Sequence, residues 1–203
     1  MRIEALQRDI EAIYSLNAAP SVQEFFLSRK EVRSFLGTEQ NPSPQVLLFE
    51  EKDQVSLGVY LGELRLRRIE RQGLERTNLA DFCTAAEEVS HFSYLLWSAR
   101  NRRPVSLLDV ELQGEIDKFL LASLYFSRKE DLFQRIFERV SFDRRIQRLG
   151  RLRYREANRL GGKFCRTLGE LFDRGGTRRA ALAHLRAFYR MNTQSRLARI
   201  DAL

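Results

Sequence analysis

Apolar side chains recur every three or four positions along most of the chain, which is the spacing that places them on one face of an α-helix. Charged and polar residues fill the intervening positions, so each predicted helix has one face for a core and one for solvent. The predicted helices cover residues 2–17, 21–36, 78–100, 106–126, 127–140, 142–173 and 177–191. A short final turn is expected after Thr193.

Several of these helices begin with a side chain that can accept a hydrogen bond from a free backbone N–H group. A serine followed three residues later by a carboxylate predicts a capping box, in which each side chain accepts from the other residue's backbone. The pattern occurs at Ser21 with Glu24, Ser106 with Asp109, and Ser127 with Glu130. Asn78 and Thr177 are the predicted caps of two further helices.

The pattern changes to an alternation of apolar and polar residues between the second and third predicted helices. Residues 46–49 and 55–61 flank a polar turn, which predicts a β-hairpin over residues 45–61. Two strands alone are marginally stable, so the hairpin must pack on the helices or on another chain. Residues 41–44, with two prolines, are the expected linker before it.

These patterns predict a mainly α fold, a multi-helix bundle with a small β-hairpin insertion, in a single domain over residues 1–203. Its parts are an N-terminal helical hairpin over 1–40, the β-hairpin, central apolar helices over 78–140 and basic C-terminal helices over 142–203. Aromatic side chains at helical spacing are typical of a core, and we expect no cofactor among them.

Several classes of protein are disfavoured by what the sequence lacks. No apolar run reaches the length of a transmembrane helix, and the first residues do not resemble a secretory signal. Cys83 and Cys165 lie too far apart for a zinc-binding spacing. The composition favours a bacterial, cytoplasmic protein, and neither a nucleotide-binding loop nor a nucleophile motif indicates an enzyme.

The charge is distributed unevenly along the chain. Residues 1–140 contain 19 Lys and Arg against 22 Asp and Glu, a net charge of −3, whereas residues 141–203 contain 16 against 5, a net charge of +11. Together these give the total of +8. A basic segment on an otherwise acidic chain indicates an anionic partner, which could be nucleic acid, a membrane or an acidic protein.

The basic residues of the long C-terminal helix are predicted to share one face, opposite its apolar face. We call them the arginine ridge, and they are Arg144, Arg148, Arg151, Arg155, Arg159, Lys163 and Arg166. No acid interrupts the row, since Glu156 is expected between the two faces. Arg178 and Arg179 follow Gly175, Gly176 and Thr177, which predict either a phosphate site at a helix start or a glycine stop with a threonine cap.

The leading hypothesis is therefore a non-catalytic accessory protein that binds a polyanion, with nucleic acid preferred. The ridge with Arg178 and Arg179 would contact phosphates, and binding would depend strongly on salt, because no sequence-reading motif is present. The alternative is that acids elsewhere in the chain neutralise the ridge. A second hypothesis is an adaptor that docks an acidic protein partner, and the pattern is also compatible with a homo-oligomer.

The third hypothesis is a metal-dependent helical-bundle enzyme. Glu88 and His91 form an ExxH step beside Glu87, and Glu111 with Glu115 lies on the next predicted helix. Carboxylates and one imidazole on facing helices can hold a metal, and we take Glu88, His91, Glu111 and Glu115 as the candidate ligands. Carboxylate-bridged di-iron bundles have a second ExxH, which this sequence lacks. The competing interpretation is that Glu87 or Glu88 pairs with His91 along the helix, or that these charged side chains face water.

Overall fold

The computed structural model describes residues 3–51, 54–73, 78–126, 131–140, 148–173 and 177–203. This part of the chain is mainly helical and carries one small antiparallel sheet, so the predicted fold class is confirmed. None of its helices combines the length and the apolar composition that crossing a bilayer requires.

The first forty residues do not form the two long helices that their periodicity predicts. Helix α1 covers Glu4–Tyr14, and Ser21 then caps only a 3-10 turn over Val22–Phe25. Helix α2 covers Arg29–Leu36 and begins at a second capping box, formed by Ser28 with Glu31. The predicted helix over 21–36 is wrong in its middle because the chain extends at Phe26 to form a bridge with the β-hairpin.

The hairpin consists of β1 over Gln45–Glu51 and β2 over Gln54–Tyr60, paired antiparallel with Val46 opposite Val59. The predicted hairpin is thus confirmed, with residues 52 and 53 outside the described residues. Its support comes from the extended segment, since the backbone N–H of Leu27 donates to the Val59 carbonyl oxygen at 2.9 Å. A Cβ at Gly58 would lie 2.4 Å from the Leu27 side chain, so a glycine is needed for this approach.

Helix α3, over Glu63–Gln72, is absent from the predicted elements. Its sequence is mostly charged and only Ile69 is buried, so the periodic signal is weak. The helix begins at Gly62, whose φ of +82° favours glycine. Arg65 lies 2.9 Å from the carboxylate of Asp81 and so ties α3 to the next helix.

The centre of the molecule is built from α4 over Leu79–Arg100, α5 over Leu107–Tyr125 and α6 over Arg148–Asp173, with α5 packed against both neighbours. Helices α7 over Arg178–Tyr189 and α8 over Thr193–Asp201 follow. The predicted caps at Asn78, Ser106 and Thr177 are present as hydrogen bonds to backbone N–H groups. Helix α8 is longer than the single turn expected there.

Two glycines inside α6 serve packing rather than a bend. Glycine inside a helix can kink or end it, but α6 runs through Gly161 and Gly162 without interruption. A Cβ at Gly161 would lie 2.8 Å from the Cβ of Glu115, and one at Gly162 would lie 3.3 Å from the ring of Phe137. The glycines therefore let α6 approach α5 and the π-helical turn over Gln134–Glu138 closely. The predicted capping box at 127–130 lies outside the described residues.

A polar network is buried between α1, α4 and α5. The hydroxyl groups of Tyr14 and Ser90 each donate to the carboxylate of Asp117 at 2.5 Å, and the side-chain amide of Gln113 donates to it at 3.0 Å. Burial raises the pKa of Asp117 to about 6, even though these hydrogen bonds and the charge of Arg196 lower it. The folded protein therefore holds a proton on Asp117 over a pH range in which the unfolded chain has lost it.

This raised pKa predicts a loss of stability as the pH increases from about 4 to about 6. The stabilisation from the bound proton is complete below the unfolded pKa of about 4 and disappears as the pH passes the folded pKa, a total of roughly 3 kcal/mol. Urea unfolding at several pH values should show this component in the wild type. The Asp117→Asn variant should lack it, and identical pH profiles for the two proteins would contradict the assignment.

Candidate metal centre

Helices α4 and α5 bring together the acidic residues and the histidine that the sequence analysis proposes for a metal site. Glu87 and Glu88 precede His91 by four and three residues, so both lie on the histidine's side of α4. Glu111 lies opposite on α5, one turn before Glu115. Glu88, His91, Glu111 and Glu115 are all buried, and Glu87 is half-buried.

The two ring nitrogens of His91 face different carboxylates. Nδ1 lies 3.4 Å from Oε2 of Glu88, and Nε2 lies 3.7 Å from Oε2 of Glu111. One potential ligand atom each from Glu87, His91 and Glu111 falls within 4.8 Å of the other two. The side chains thus surround a point near Nε2, with Glu88 on the far side of the ring.

Three buried polar atoms in this cluster have no hydrogen-bond partner among the described residues. They are Oε2 of Glu88, Nε2 of His91 and Oε2 of Glu111. Their ion-pair contacts, at 3.4 and 3.7 Å, are longer than ordinary N–H···O hydrogen bonds. Buried polar atoms are almost always hydrogen-bonded in native proteins, so three unpartnered atoms around one imidazole need an explanation such as a bound ion.

Glycine at position 114 makes room for the imidazole ring. A Cβ built there would lie 2.6 Å from Nε2 of His91 and 3.2 Å from Cγ of Glu87. A side chain at position 114 would therefore displace the ring from the cluster. Gly114 permits the close approach of α4 and α5 at the level of His91.

Glu115 belongs to a neighbouring ion pair rather than to the group around Nε2. One of its oxygens accepts a hydrogen bond from Nζ of Lys118 at 2.7 Å, and the other accepts from the side-chain amide of Asn158 at 2.9 Å. Lys118 also lies 3.5 Å from Glu87. The predicted ligand Glu115 is thus fully paired. Glu87, which is not among the four predicted ligands, belongs instead to the group with His91 and Glu111.

The pKa values of Glu88, His91 and Glu111 are all raised above their usual values in this cluster. Burial alone would lower the pKa of His91, but its contact with Glu88 and the charges of Glu111 and Glu87 raise it to about 9. Burial raises the pKa of Glu111 to about 7 against the opposing charge of His91. Burial also raises the pKa of Glu88. Without a metal, the imidazole is therefore an imidazolium at neutral pH.

The arginine ridge is only partly described. Arg144 lies outside the described residues, and the side chain of Arg148 is not among those described. Arg155 is exposed and Arg151 is half-buried, and neither forms an ion pair with any residue that the structure describes.

The lower half of the ridge has partners, so the expectation that no acid neutralises the row is wrong there. Arg159 pairs with Glu156 at 2.7 Å, three residues earlier on the same helix. Arg166 pairs with Glu138 at 3.2 Å. Lys163 donates to the backbone carbonyl of the last residue of α8 at 3.3 Å.

Thr177 accepts a hydrogen bond from the Ala180 backbone, which is the cap predicted from the glycine-stop interpretation. Gly175 and Gly176 lie outside the described residues, so the predicted phosphate loop is not described as a whole. Arg178 and Arg179 are exposed and form no ion pair within the described part of the chain.

Other arginines of the C-terminal basic segment form hydrogen bonds within the fold or are buried in its core. The guanidinium groups of Arg186 and Arg190 donate to backbone carbonyls at the end of α1, including those of Ile13 and Tyr14. Arg196 on α8 is fully buried. Some of the arginines that make up the +11 charge therefore bind the C-terminal carbonyls of a helix or lie in the core. Helical spacing alone does not predict these roles.

Substitution Gly114→Ala is expected to destabilise the protein by about 1–3 kcal/mol, because the added methyl group would force the His91 ring out of its place. The gain in helix propensity offsets less than about 1 kcal/mol of this. Gly169→Ala on α6 is the matched control, because a Cβ there meets nothing within 4 Å. Chemical denaturation should show the control equal to or more stable than the wild type. Equal stability of both variants would contradict the close packing at His91.

Comparison of the chain with known protein families, with characterised proteins and with solved structures finds no match.

Proposed function

We propose that this protein binds one divalent transition-metal ion between Glu87, His91 and Glu111. The observation that carries the proposal is the group of buried polar atoms that converge there without hydrogen-bond partners among the described residues. An unpartnered buried polar atom costs about 1–3 kcal/mol, and more when it is charged. A cation at this point would coordinate Nε2 and a carboxylate oxygen of Glu111 and so remove two of these costs.

The chemistry of the three side chains supports this class of ligand. Two carboxylates and one imidazole suit Zn²⁺, Fe²⁺ and Mn²⁺, whereas Mg²⁺ and Ca²⁺ prefer oxygen alone. Glu88 adds an outer contact, because a carboxylate beside Nδ1 keeps the proton on that nitrogen and leaves the Nε2 lone pair for the metal. Binding then requires the loss of the Nε2 proton, so affinity should increase with pH.

Three protein ligands leave coordination positions for water or a substrate. Structural zinc sites are usually closed by four protein ligands, and catalytic sites usually have three. The half-buried side chain of Glu87 places one edge of the cluster near solvent. The arrangement therefore supports a metal-dependent enzyme better than a structural metal site.

The test is the metal content of the purified protein after dialysis against Zn²⁺, Mn²⁺ or Fe²⁺ in turn. The wild type should retain about one equivalent of at least one metal, and Glu111→Gln should lower the affinity by roughly 10–100-fold or more, because it removes a charged ligand. Glu156→Gln is the matched control, since this half-buried carboxylate pairs with Arg159 and with no other side chain that the structure describes. Glu87→Gln provides a second, less buried variant.

A wild-type protein that retains no metal under any of these conditions would overturn the proposal. Retention of one equivalent that is unchanged in both Glu87→Gln and Glu111→Gln would place the metal elsewhere. Circular dichroism of each variant separates loss of a ligand from loss of the fold.

A second candidate function, polyanion binding, is favoured by Arg151 and Arg155. Both side chains lie on α6 and neither meets a carboxylate of the described residues within ion-pair distance. Guanidinium groups on one helix repel each other, and phosphates would offset this repulsion through paired hydrogen bonds. Because Arg159 and Arg166 are already paired, the surface offered to a polyanion is smaller than the full ridge.

Filter binding of DNA and RNA at two salt concentrations tests this second function. Double reversal of Arg151 and Arg155 to glutamate should weaken binding equally for all sequences and reduce the salt dependence by about one phosphate contact per residue. Reversal of Arg159 and Arg166 is the comparison, with a smaller expected effect. No binding at low salt would remove nucleic acid as the partner and leave an acidic protein or an anionic membrane surface as the remaining candidates.

A further inference from the structure

An apolar pocket of about 310 Å³ lies between α1, α5, α6 and α7. It is separate from the group of Glu87, Glu88, His91 and Glu111, which we call the Glu–His cluster. Its walls are aliphatic and aromatic side chains, including Phe119, Leu168 and Leu185. The hydroxyl of Ser123 also lines it but already donates to a backbone carbonyl at 2.8 Å. The polar surface inside the pocket is therefore very small.

Two residues of α6 contribute an uncrowded and unreactive part of the pocket wall. A Cβ at the exposed Gly169 would meet no atom within 4 Å, so the helix leaves open space at this position. Burial raises the pKa of Cys165 well above its ordinary value, so its thiol stays neutral and behaves as an apolar group. Both features suit a hydrocarbon ligand.

A positively charged side chain, that of Arg178, lies at the edge of this apolar pocket. The side chain of Arg178 contributes to the pocket wall, is exposed to solvent and forms no ion pair with a described residue. It is also the first residue of α7, where the helix dipole adds positive potential. Arg179, next to it in sequence, does not line the pocket.

We propose that this pocket binds a single-chain aliphatic carboxylate, with the chain inside and the carboxylate at Arg178. The charge complementarity at the rim and the apolar walls together specify an anionic amphiphile. The pocket volume is near the lower end of the range of about 300–1,000 Å³ for small-molecule sites, which favours one unbranched chain of medium length over a two-chain lipid.

Decanoate and 1-decanol are the probes, added to the full-length protein in a calorimetric titration. Decanoate should bind with a stoichiometry of one. Octanoate, which is two methylenes shorter, should bind roughly fifteenfold more weakly, because each buried methylene contributes roughly a fourfold change in affinity. Decanol lacks the carboxylate and should bind about threefold to tenfold more weakly than decanoate, since the contact with an exposed arginine is screened.

Three variants and one control distinguish the contribution of the ligand's aliphatic chain from that of its carboxylate. Arg178→Gln should bring decanoate to the affinity of decanol, whereas Arg179→Gln should leave both unchanged. Gly169→Leu should weaken both probes at least tenfold by filling the space. Leu124→Glu, at an exposed wall residue, should weaken decanoate more than decanol and carries little risk to folding.

Absence of saturable decanoate binding would overturn the proposal. So would equal affinities for decanoate and decanol in the wild type, or an unchanged affinity in both Gly169→Leu and Leu124→Glu. None of these results depends on the metal content of the protein, because the pocket and the Glu–His cluster share no residue.

Discussion

Saturation with a transition metal should raise the melting temperature of the wild-type protein by about 5–11 °C. A ligand that binds only the folded state at a concentration 100 times its dissociation constant stabilises that state by about 2.7 kcal/mol. In a chain of this length, each kcal/mol corresponds to about 2–4 °C. The same addition should leave the melting temperature of His91→Ala unchanged, because Nε2 is the only nitrogen in the proposed ligand set.

His184→Ala is the control for this experiment. His184 is the second histidine of the chain, lies on α7 and is half-buried, and one of its ring nitrogens contacts Arg199 at 3.4 Å. Its variant should keep the full metal-induced shift. A shift that persists in His91→Ala and disappears in His184→Ala would mean that the metal binds at α7 and that the Glu–His cluster is an ordinary buried charge network.

Substitution Arg196→Met should be among the most destabilising single changes in the protein, with a loss of about 3–5 kcal/mol, or roughly 6–20 °C in melting temperature. The guanidinium of Arg196 is fully buried and donates to Tyr94 at 3.1 Å and to Gln113 at 2.5 Å. It also lies 3.5 Å from the carboxylate of Asp109 and 4.6 Å from the ring centre of Phe188. Methionine fills similar volume but leaves the Asp109 charge and the Gln113 oxygen without this partner.

Arg199→Met is the matched control for that substitution, because Arg199 lies one turn later on the same helix and is exposed. Its expected effect is within about 0.5 kcal/mol, which is typical of surface positions. Thermal unfolding of the three proteins under one buffer condition gives the comparison. Equal stability of the two variants would show that Arg196 does not anchor α8 to α4 and α5.

The sequence was sufficient to predict the elements that follow simple local rules. The hairpin followed from strict alternation, and the starts of α4, α5 and α7 followed from capping side chains at Asn78, Ser106 and Thr177. These signals depend on residues within one turn of each other, so no tertiary information is needed. The same rules failed at Phe26, where a long-range bridge to β2 interrupts a helical pattern.

The helices that carry the candidate metal site follow from the sequence, but the side chains that surround His91 do not. The ExxH step placed a carboxylate and an imidazole together, but which glutamate faces Nε2 depends on the rotation of α4 against α5. Glu87, at the i−4 position, belongs to the same group of potential ligand atoms as His91 and Glu111, and Glu88, at i−3, contacts Nδ1. The glycine at position 114 on a buried helix was an available signal, since glycine inside a helix often marks a close approach.

The net charge of the C-terminal segment predicts the roles of its arginines only in part. A net charge of +11 over the last 63 residues predicts a single basic surface, but the arginines of this segment lie in different environments in the structure. Arg196 is in the core, and Arg186 and Arg190 bind the carbonyl end of α1. Partners of this kind come from distant parts of the chain, which is why helical spacing alone could not identify them.

The most direct test of the metal centre is anomalous diffraction from crystals of the wild-type protein grown with Zn²⁺ and measured on both sides of the zinc absorption edge. We expect one strong anomalous peak between Glu87, His91 and Glu111, about 2.0–2.1 Å from Nε2 of His91. Fully ordered side chains at this position with no anomalous peak, or with a peak only at surface residues, would contradict the account.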